Sequence, residues 1–539
     1  MSTSTSPSAP AVDSAPSASP GAPMTHQQIL QALSGLLLSM FAAMVASTIV
    51  NTALPPIVAD LGGSQTGYTW VVVGTLLAMT ATTPVWGKLA DLFNQKVLTQ
   101  TALTIFAVGS LVAGFSTSME MLIGARVIQG LGIGGLMALV QVVIASIVSP
   151  RERGRYAGYL GSVFAVATVG GPLIGGLVVD TLGWRWCFWV SLPFAVAGWL
   201  LLQRTLKLPQ RPRKQVSIDY VGAFLVMLGV SLLLVWISLA GNQFAWTSTI
   251  SLVLVVSAVV VTLVAVWWEA KVAVDPLIPL RLFRDRTTSL ATLASVSVGI
   301  AMFGSGVYLS QYFQLARGMS PTTAGLMSIC MVLGTMVAGI VSGRLISDTG
   351  KWKRYLVGGA VLVIVGLGLL GTIDRETWLV QVGLFMLVLG LGVGAIQQNL
   401  VLAVQNNTAF ADIGAASSLV AFFRSIGGSA GVAALGAVLA HQVSDSVRAG
   451  LQRLGMALGG GSDSQSVPDL ATLPTPVRLV FENAYGDAIA SVFALTVPFA
   501  VLTLVCVLFI QEVPLRHTVQ RADERPHVDA DAEPVGHDG

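Results

Sequence analysis

The feature that most constrains this 539-residue chain is a recurrence of nearly uncharged apolar runs of about 20 residues, each able to carry a helix across roughly 30 Å of hydrocarbon. Fourteen such runs fall near 29–53, 68–87, 97–116, 119–148, 155–180, 184–204, 219–240, 247–268, 288–316, 321–345, 355–373, 378–404, 413–440 and 488–511. None alternates with period two, so they predict helices that satisfy their own backbone groups in lipid rather than barrel strands. Only 10% of the residues are Asp, Glu, Lys or Arg, against about 25% in an ordinary soluble protein, which is too little charge to clothe a water-facing globule of this length. The pattern predicts an all-α integral membrane protein: a Ser/Pro/Ala-rich disordered tail over 1–27, a six-helix half over 28–205, a basic linker with two extra helices over 206–286, a second six-helix half over 287–511, and a disordered tail over 512–539. Residues 441–484 are expected to form a long extracellular loop within the second half.

Basic residues orient the bundle. With both termini on the inner side, 21 of the 29 Lys and Arg fall in inner regions and six in outer loops, three of these on 441–484, while Arg126 and Arg424 lie inside helices. The predicted topology is therefore multi-pass with both termini cytoplasmic. A net charge of +3 and the absence of a basic block with interleaved aromatics exclude a nucleic-acid partner. Cys187, Cys330 and Cys506 have no metal-ligand or disulfide-framework spacing, and no nucleophile constellation, phosphate loop or soluble catalytic domain is present, so neither an enzyme nor a cofactor is expected. Membrane lipids are the surrounding partner; no obligate protein partner is evident.

Five segments carry more specific information: Thr48 to Pro55 in the first run; Gly87 to Lys96 after the second; Arg126-Val127-Ile128-Gln129-Gly130-Leu131-Gly132 in the fourth; Gly170-Gly171-Pro172-Leu173-Ile174-Gly175-Gly176 in the fifth; and Arg424 to Gly431 in the thirteenth. An echo of Gly87-Lys88-Leu89-Ala90-Asp91 recurs as Gly343-Arg344-Leu345-Ile346-Ser347-Asp348, the sign of repeated halves, although small and charged residues mark any inner helix end. Together these segments resemble the major facilitator superfamily, and within it the fourteen-helix drug:proton antiporters, over roughly residues 28–512. The resemblance implies a major facilitator fold with fourteen transmembrane helices as two six-helix halves plus two central linker helices. It implies multidrug or natural-product efflux across the cytoplasmic membrane of a bacterium by alternating access, with small amphipathic substrates and protons as partners.

Roles follow residue by residue. Asp91 at an inner helix end can accept backbone N–H groups from a neighbouring helix start and pair with a base such as Lys96, which makes it a gating latch; the plain alternative is a solvated charge. Arg126, about 10 Å into its helix, is a coupling or gating candidate that reads as facing a wet cavity or pairing with acceptors, the plain alternative being snorkelling outward. The Gly170, Gly171, Pro172, Gly175 and Gly176 run reads as a hinge and seal that lets the helix pack against the other half, or as generic small-residue packing. Asn51, Gln129, Gln311, Gln314, Gln397, Gln398, Asn399 and Arg424 are the polar candidates for a substrate cavity. Trp184, Trp186, Trp267 and Trp268 read as interfacial anchors.

The chain also departs from that pattern. Leu92, Asn94 and Gln95 replace the basic and glycine positions of the second segment, and Ala46 occupies the place where the antiporters carry an acid. No acidic residue lies deep in a predicted span, so proton exchange falls to peripheral carboxylates, Asp60, Glu120 and Asp180 outside and Asp91 inside. An uncoupled or differently coupled carrier for lipids or other amphiphiles is the alternative reading.

Overall fold

Helix boundaries are set by local chemistry. Ser118 and Ser248, in extended conformation, accept the backbone N–H of Met121 and Ser251, while Asp219 and Asp285 accept those of Gly222 and Thr288, so four helices begin on side-chain caps. Gly350 closes another helix at φ 69°, a left-handed conformation that glycine adopts without a Cβ penalty.

The computed structural model describes residues 26–61, 65–148, 150–206, 219–240, 244–273, 276, 278–319, 321–409, 412–454 and 474–515. Most of both predicted tails, most of the basic linker and residues 455–473 lie outside the described residues, as do the side chains of Asn51, Pro172 and Asp180.

The first part of the chain forms α1 (His26–Asp60), α2 (Gln65–Leu92), α3 (Gln95–Gly114), α4 (Met119–Ile147), α5 (Pro150–Leu182), the short α6 (Trp186–Trp189) and α7 (Ser191–Thr205). Their buried side chains form cores of their own, one around Leu36, Phe106 and Leu139 and another around Ile49, Leu122 and Phe188. A hairpin follows, α8 (Tyr220–Leu239) and α9 (Thr249–Lys271), tied by Trp268 Nε1 donating to Asp219. The last part comprises α10 (Arg286–Gln311), α11 (Pro321–Met327), α12 (Ile329–Thr349), α13 (Lys353–Leu370), α14 (Leu379–Asn407), α15 (Ile413–Arg453) and α16 (Thr475–Phe509) around a third core that includes Tyr312, Met386 and Phe493. Two bundles with separate cores therefore flank the α8–α9 hairpin.

Twelve of the described helical stretches are long and apolar enough to cross a membrane. α2, with 28 residues, and α5, with 33, are long helices packed in the same bundle but outside that set, so the described residues give twelve where the sequence predicts fourteen. The expected loop 441–484 is also shorter than predicted. α15 runs on to Arg453 and α16 begins at Thr475, because Leu439, Val443, Val447 and Leu451 keep a buried stripe at helical spacing beyond the end of the apolar run. The π-turn Tyr312–Ala316 continues α10 at the same end of the bundle, where the Tyr312 hydroxyl donates to the Asp374 carbonyl at 2.6 Å.

The bundles meet through α2 on α15 and α5 on α12, a reciprocal pairing in which α2 and α12 carry the Gly87–Asp91 segment and its echo. Such exchange of equivalent helices is the arrangement of a pseudo-symmetric repeat.

Candidate functional site

The halves are joined at the end of the bundle that carries Asp91. Its carboxylate accepts the backbone N–H of Gly414 at 3.0 Å and of Ala415 at 2.9 Å, in the first turn of α15. Those amides have no intrahelical acceptor, and the helix start carries partial positive charge, so a carboxylate satisfies both deficits. A Cβ on Gly414 would overlap Asp91, and one on Gly87 would overlap Ser418. Each glycine thus lets its helix approach the other half. Lys96 is not part of this contact: its Nζ donates to the Gln203 carbonyl at 2.7 Å, near the end of α7.

The linker reinforces the same end. Arg281, in a short 3-10 turn (Leu280–Arg284), pairs with Asp412 at 2.8 Å, two residues before Gly414, and Asn407 donates to Asp285 at 2.7 Å. Deeper in the bundle, Gln141 Nε2 on α4 donates to Gln398 Oε1 on α14 at 3.1 Å, a neutral bond between the halves.

Arg126 does not snorkel outward and pairs with acceptors inside the bundle. Only 2% exposed, it donates to the Val71 carbonyl of α2 at 3.4 Å and to Gln129, whose Nε2 in turn donates to Ser110 of α3 at 2.7 Å. Its guanidinium is therefore held by neutral acceptors among α2, α3 and α4, and Gln129 is spent inside the same network.

α5 packs on α12 of the other half, as expected of the helix that carries the glycine run, but two glycines of the run face its own half. A Cβ on Gly171 would overlap Thr48 and one on Gly175 would press on Ile49, both on α1 within the same half; Gly170 faces little but Ile174. Thr48 Oγ1 also donates to the Ala167 carbonyl at 3.1 Å. Residues four apart share a helix face, so 171 and 175 form one α1-facing stripe while a different face of α5 meets α12.

In the second half, Asn399 is buried and donates to Ser342 and to the Ala395 carbonyl, so it holds α14 to α12. Gln314 donates to Ser310, Gln397 is half-buried, and the Oε1 of Gln311 is buried with no hydrogen-bond partner among the described residues. Arg424 is half-buried on the glycine stripe of α15 that packs on α10 and finds no hydrogen-bond or ion-pair partner among the described residues.

At the opposite end, Asp60 accepts the Trp184 indole N–H at 2.9 Å and pairs with Arg185 at 3.2 Å. These bonds, Trp184 first, hold its carboxyl below the ordinary value. Trp184 is accordingly buried, and Trp268 is hydrogen-bonded to Asp219. Glu120 is exposed in the first turn of α4. Sequence reading missed Glu482, which it left in a loop. Only 3% exposed, Glu482 takes Arg375 at 2.9 Å and Arg478 at 2.7 Å. Arg478 and Glu482 stand four apart, a helical spacing that could have flagged the pair. Gln141 was visible too, as a polar residue inside an apolar run. No cluster of His, Cys, Asp and Glu among the described residues could hold a metal ion.

Comparison with known proteins supplies the context. Residues 36–432 match the Major Facilitator Superfamily. An uncharacterised MFS-type transporter of Mycobacterium tuberculosis is 35% identical, covering 91% of this chain and 70% of its own. The efflux pump dotC of Dothistroma septosporum is 34% identical over 91% of this chain and 85% of its own, and the multidrug transporter protein MdtP of Bacillus subtilis 33% over 76% and 74%. Among solved structures, the human organic anion transporter MFSD10 (TETRAN) superposes with a TM-score of 0.58 over 88% of this chain and 99% of that one, at 15% identity, a likeness of fold.

Proposed function

Because the chain belongs to the Major Facilitator Superfamily, we propose that this multi-pass membrane protein is a secondary transporter that exports small amphipathic molecules by alternating access. The observation that carries the reading is the Asp91 contact: two bundles with separate cores fastened at one end by a carboxylate on a helix start, a bond that rigid-body rocking can break and remake. The names of similar proteins, an efflux pump and a multidrug transporter, support export and drug-like cargo.

In this reading α2 and α5 cross the membrane with the twelve apolar helices, giving fourteen spans, and the Asp91 end faces the cytoplasm of a bacterium, where both termini lie. A cysteine replacing exposed Asn483 should then react with an impermeant thiol reagent in intact cells, and one replacing exposed Lys351 should not. The reverse pattern would invert the topology.

The drug:proton subfamily and proton antiport complete the proposal. Asp91 is the inner candidate for proton exchange; Asp180, Glu120 and Glu482 are the outer ones, whereas Asp60 is engaged with Trp184 and Arg185. Ala46, fully buried in α1, favours the second reading, an uncoupled carrier for lipids or other amphiphiles, because no carboxylate stands at that place. Transport in proteoliposomes with and without an imposed pH gradient separates the two: accumulation that follows the gradient supports antiport, and equal rates support the uncoupled carrier.

A further inference from the structure

Gln141 and Gln398 lie about 9 Å and about 14 Å from the Asp91-side ends of α4 and α14, counted as six and nine residues of helical rise. Both residues are only half-buried, and their bond runs from one half to the other, so the pair sits between the halves, above the closed end. Their mutual bond uses one N–H of Gln141 and one lone pair of Gln398. An amide offers two N–H groups and two lone pairs, so the carbonyl oxygen of Gln141 and the amino group of Gln398 remain unspent, with no other partner among the described residues. Exchanging O and N in both amides leaves the same complement.

Given the efflux reading on which this rests, we propose that the Gln141–Gln398 pair is a substrate subsite for neutral amphiphiles carrying a carbonyl or hydroxyl group. The pair presents a donor and an acceptor side by side at the floor of the space between the halves, flanked on α4 by the half-buried Met137. Neutral cargo suits it because neither amide titrates or carries charge, while a hydrogen-bonding group is needed to replace the water that the unspent donor and acceptor would otherwise hold. Because one amide comes from each half, the subsite is complete only while the Asp91 end is closed. Rocking the halves apart at that end separates the two amides and halves the site, so the two states differ in their affinity for cargo.

The test uses Gln141→Leu and Gln398→Leu, which keep side-chain bulk and remove hydrogen bonding, with two dyes: Nile red, neutral and carbonyl-bearing, and ethidium, a cation without a carbonyl. Equilibrium binding to the purified full-length protein and efflux from cells are measured for both. Each variant should weaken Nile red binding by about three- to tenfold, the worth of one net hydrogen bond, and leave ethidium within about twofold. The double variant should cost little more than either single one, since the amides act as a unit. Equal losses for both dyes, unchanged Nile red binding, or no Nile red binding by the wild-type protein would each overturn the subsite. Binding with the expected selectivity but no efflux of either dye would sustain it and count instead against the export reading.

Discussion

Gly87 on α2 and Ser418 on α15 approach so closely that a Cβ at position 87 would collide with the serine side chain. They lie one helical turn from the Asp91 contact, and together the two contacts decide how tightly this end of the bundle shuts. Gly87→Val should wedge the halves apart and cut efflux at least about tenfold, while Ser418→Gly in the same chain should restore a substantial part of it. Dye efflux from cells expressing equal amounts of each variant checks this; unimpaired efflux by Gly87→Val would mean that closure at this point is dispensable.

Asp91→Asn keeps the shape of the side chain and removes the charge that the Gly414 and Ala415 amides face. Charge-assisted bonds are roughly twice as strong as neutral ones, so the closed state should lose population and turnover should fall. Substrate binding at equilibrium should stay within a few-fold. Complete loss of binding by a well-folded variant would make Asp91 a ligand rather than a latch.

The pH dependence at the other end has a definite sign. Asp60 has its folded pKa depressed by the Trp184 indole and by Arg185, so it contributes stability above the unfolded carboxylate value, near 3.9, and loses it as pH falls through the folded value. Trp184→Phe should lower the melting temperature by a constant amount from pH 5 to pH 8, with the difference closing below about pH 4. Asp60→Asn should leave the pH profile of efflux between pH 6 and 8 unchanged, and a shifted profile would restore Asp60 as a proton carrier.

Glu482 is almost fully buried beneath Arg375 and Arg478, whose own side chains are partly exposed. Removing the shared carboxylate leaves two guanidinium groups facing one another at the start of α16. Glu482→Ala should therefore destabilise the protein by about 3 kcal/mol, visible as a lower melting temperature in detergent. Glu482→Gln, which still accepts hydrogen bonds, should lose less; equal losses would show that packing rather than pairing holds α16 there.

Among the described residues Arg126 is held by neutral acceptors and Arg424 has no partner, so two positive charges inside the bundle have no acidic partner there. Bringing an organic dication beside them is unfavourable. Efflux in one cell background should therefore rank a neutral dye above a monocation and a monocation above a dication, and preferential export of the dication would overturn the ranking.

Membrane architecture was legible in the primary structure because it is a property of single segments. Apolar length, end capping by residues such as Ser118, Asp219 and Asp285, and the motif segments are all local, and the observed helices begin and end within a few residues of most predicted runs. The extension of α15 to Arg453 escaped notice for the same reason, since a stripe of Val443, Val447 and Leu451 among polar neighbours is helical only when a partner helix buries it.

What the tertiary structure alone decided is which polar group meets which. Asp91 could be read as a latch from its position at a helix end, but only the packing of α2 on α15 brings Gly414 and Ala415, more than three hundred residues away, to its carboxylate. Gln129, a cavity candidate by sequence, bonds with Arg126 within one half, whereas Gln141 and Gln398, no more conspicuous in the chain, face each other across the halves. A helix's sequence fixes how its side chains are spaced around it; the facing of that helix is set by the neighbours it buries against, and in a lipid-embedded bundle small residues such as Gly87, Gly171 and Gly414 choose those neighbours by admitting them.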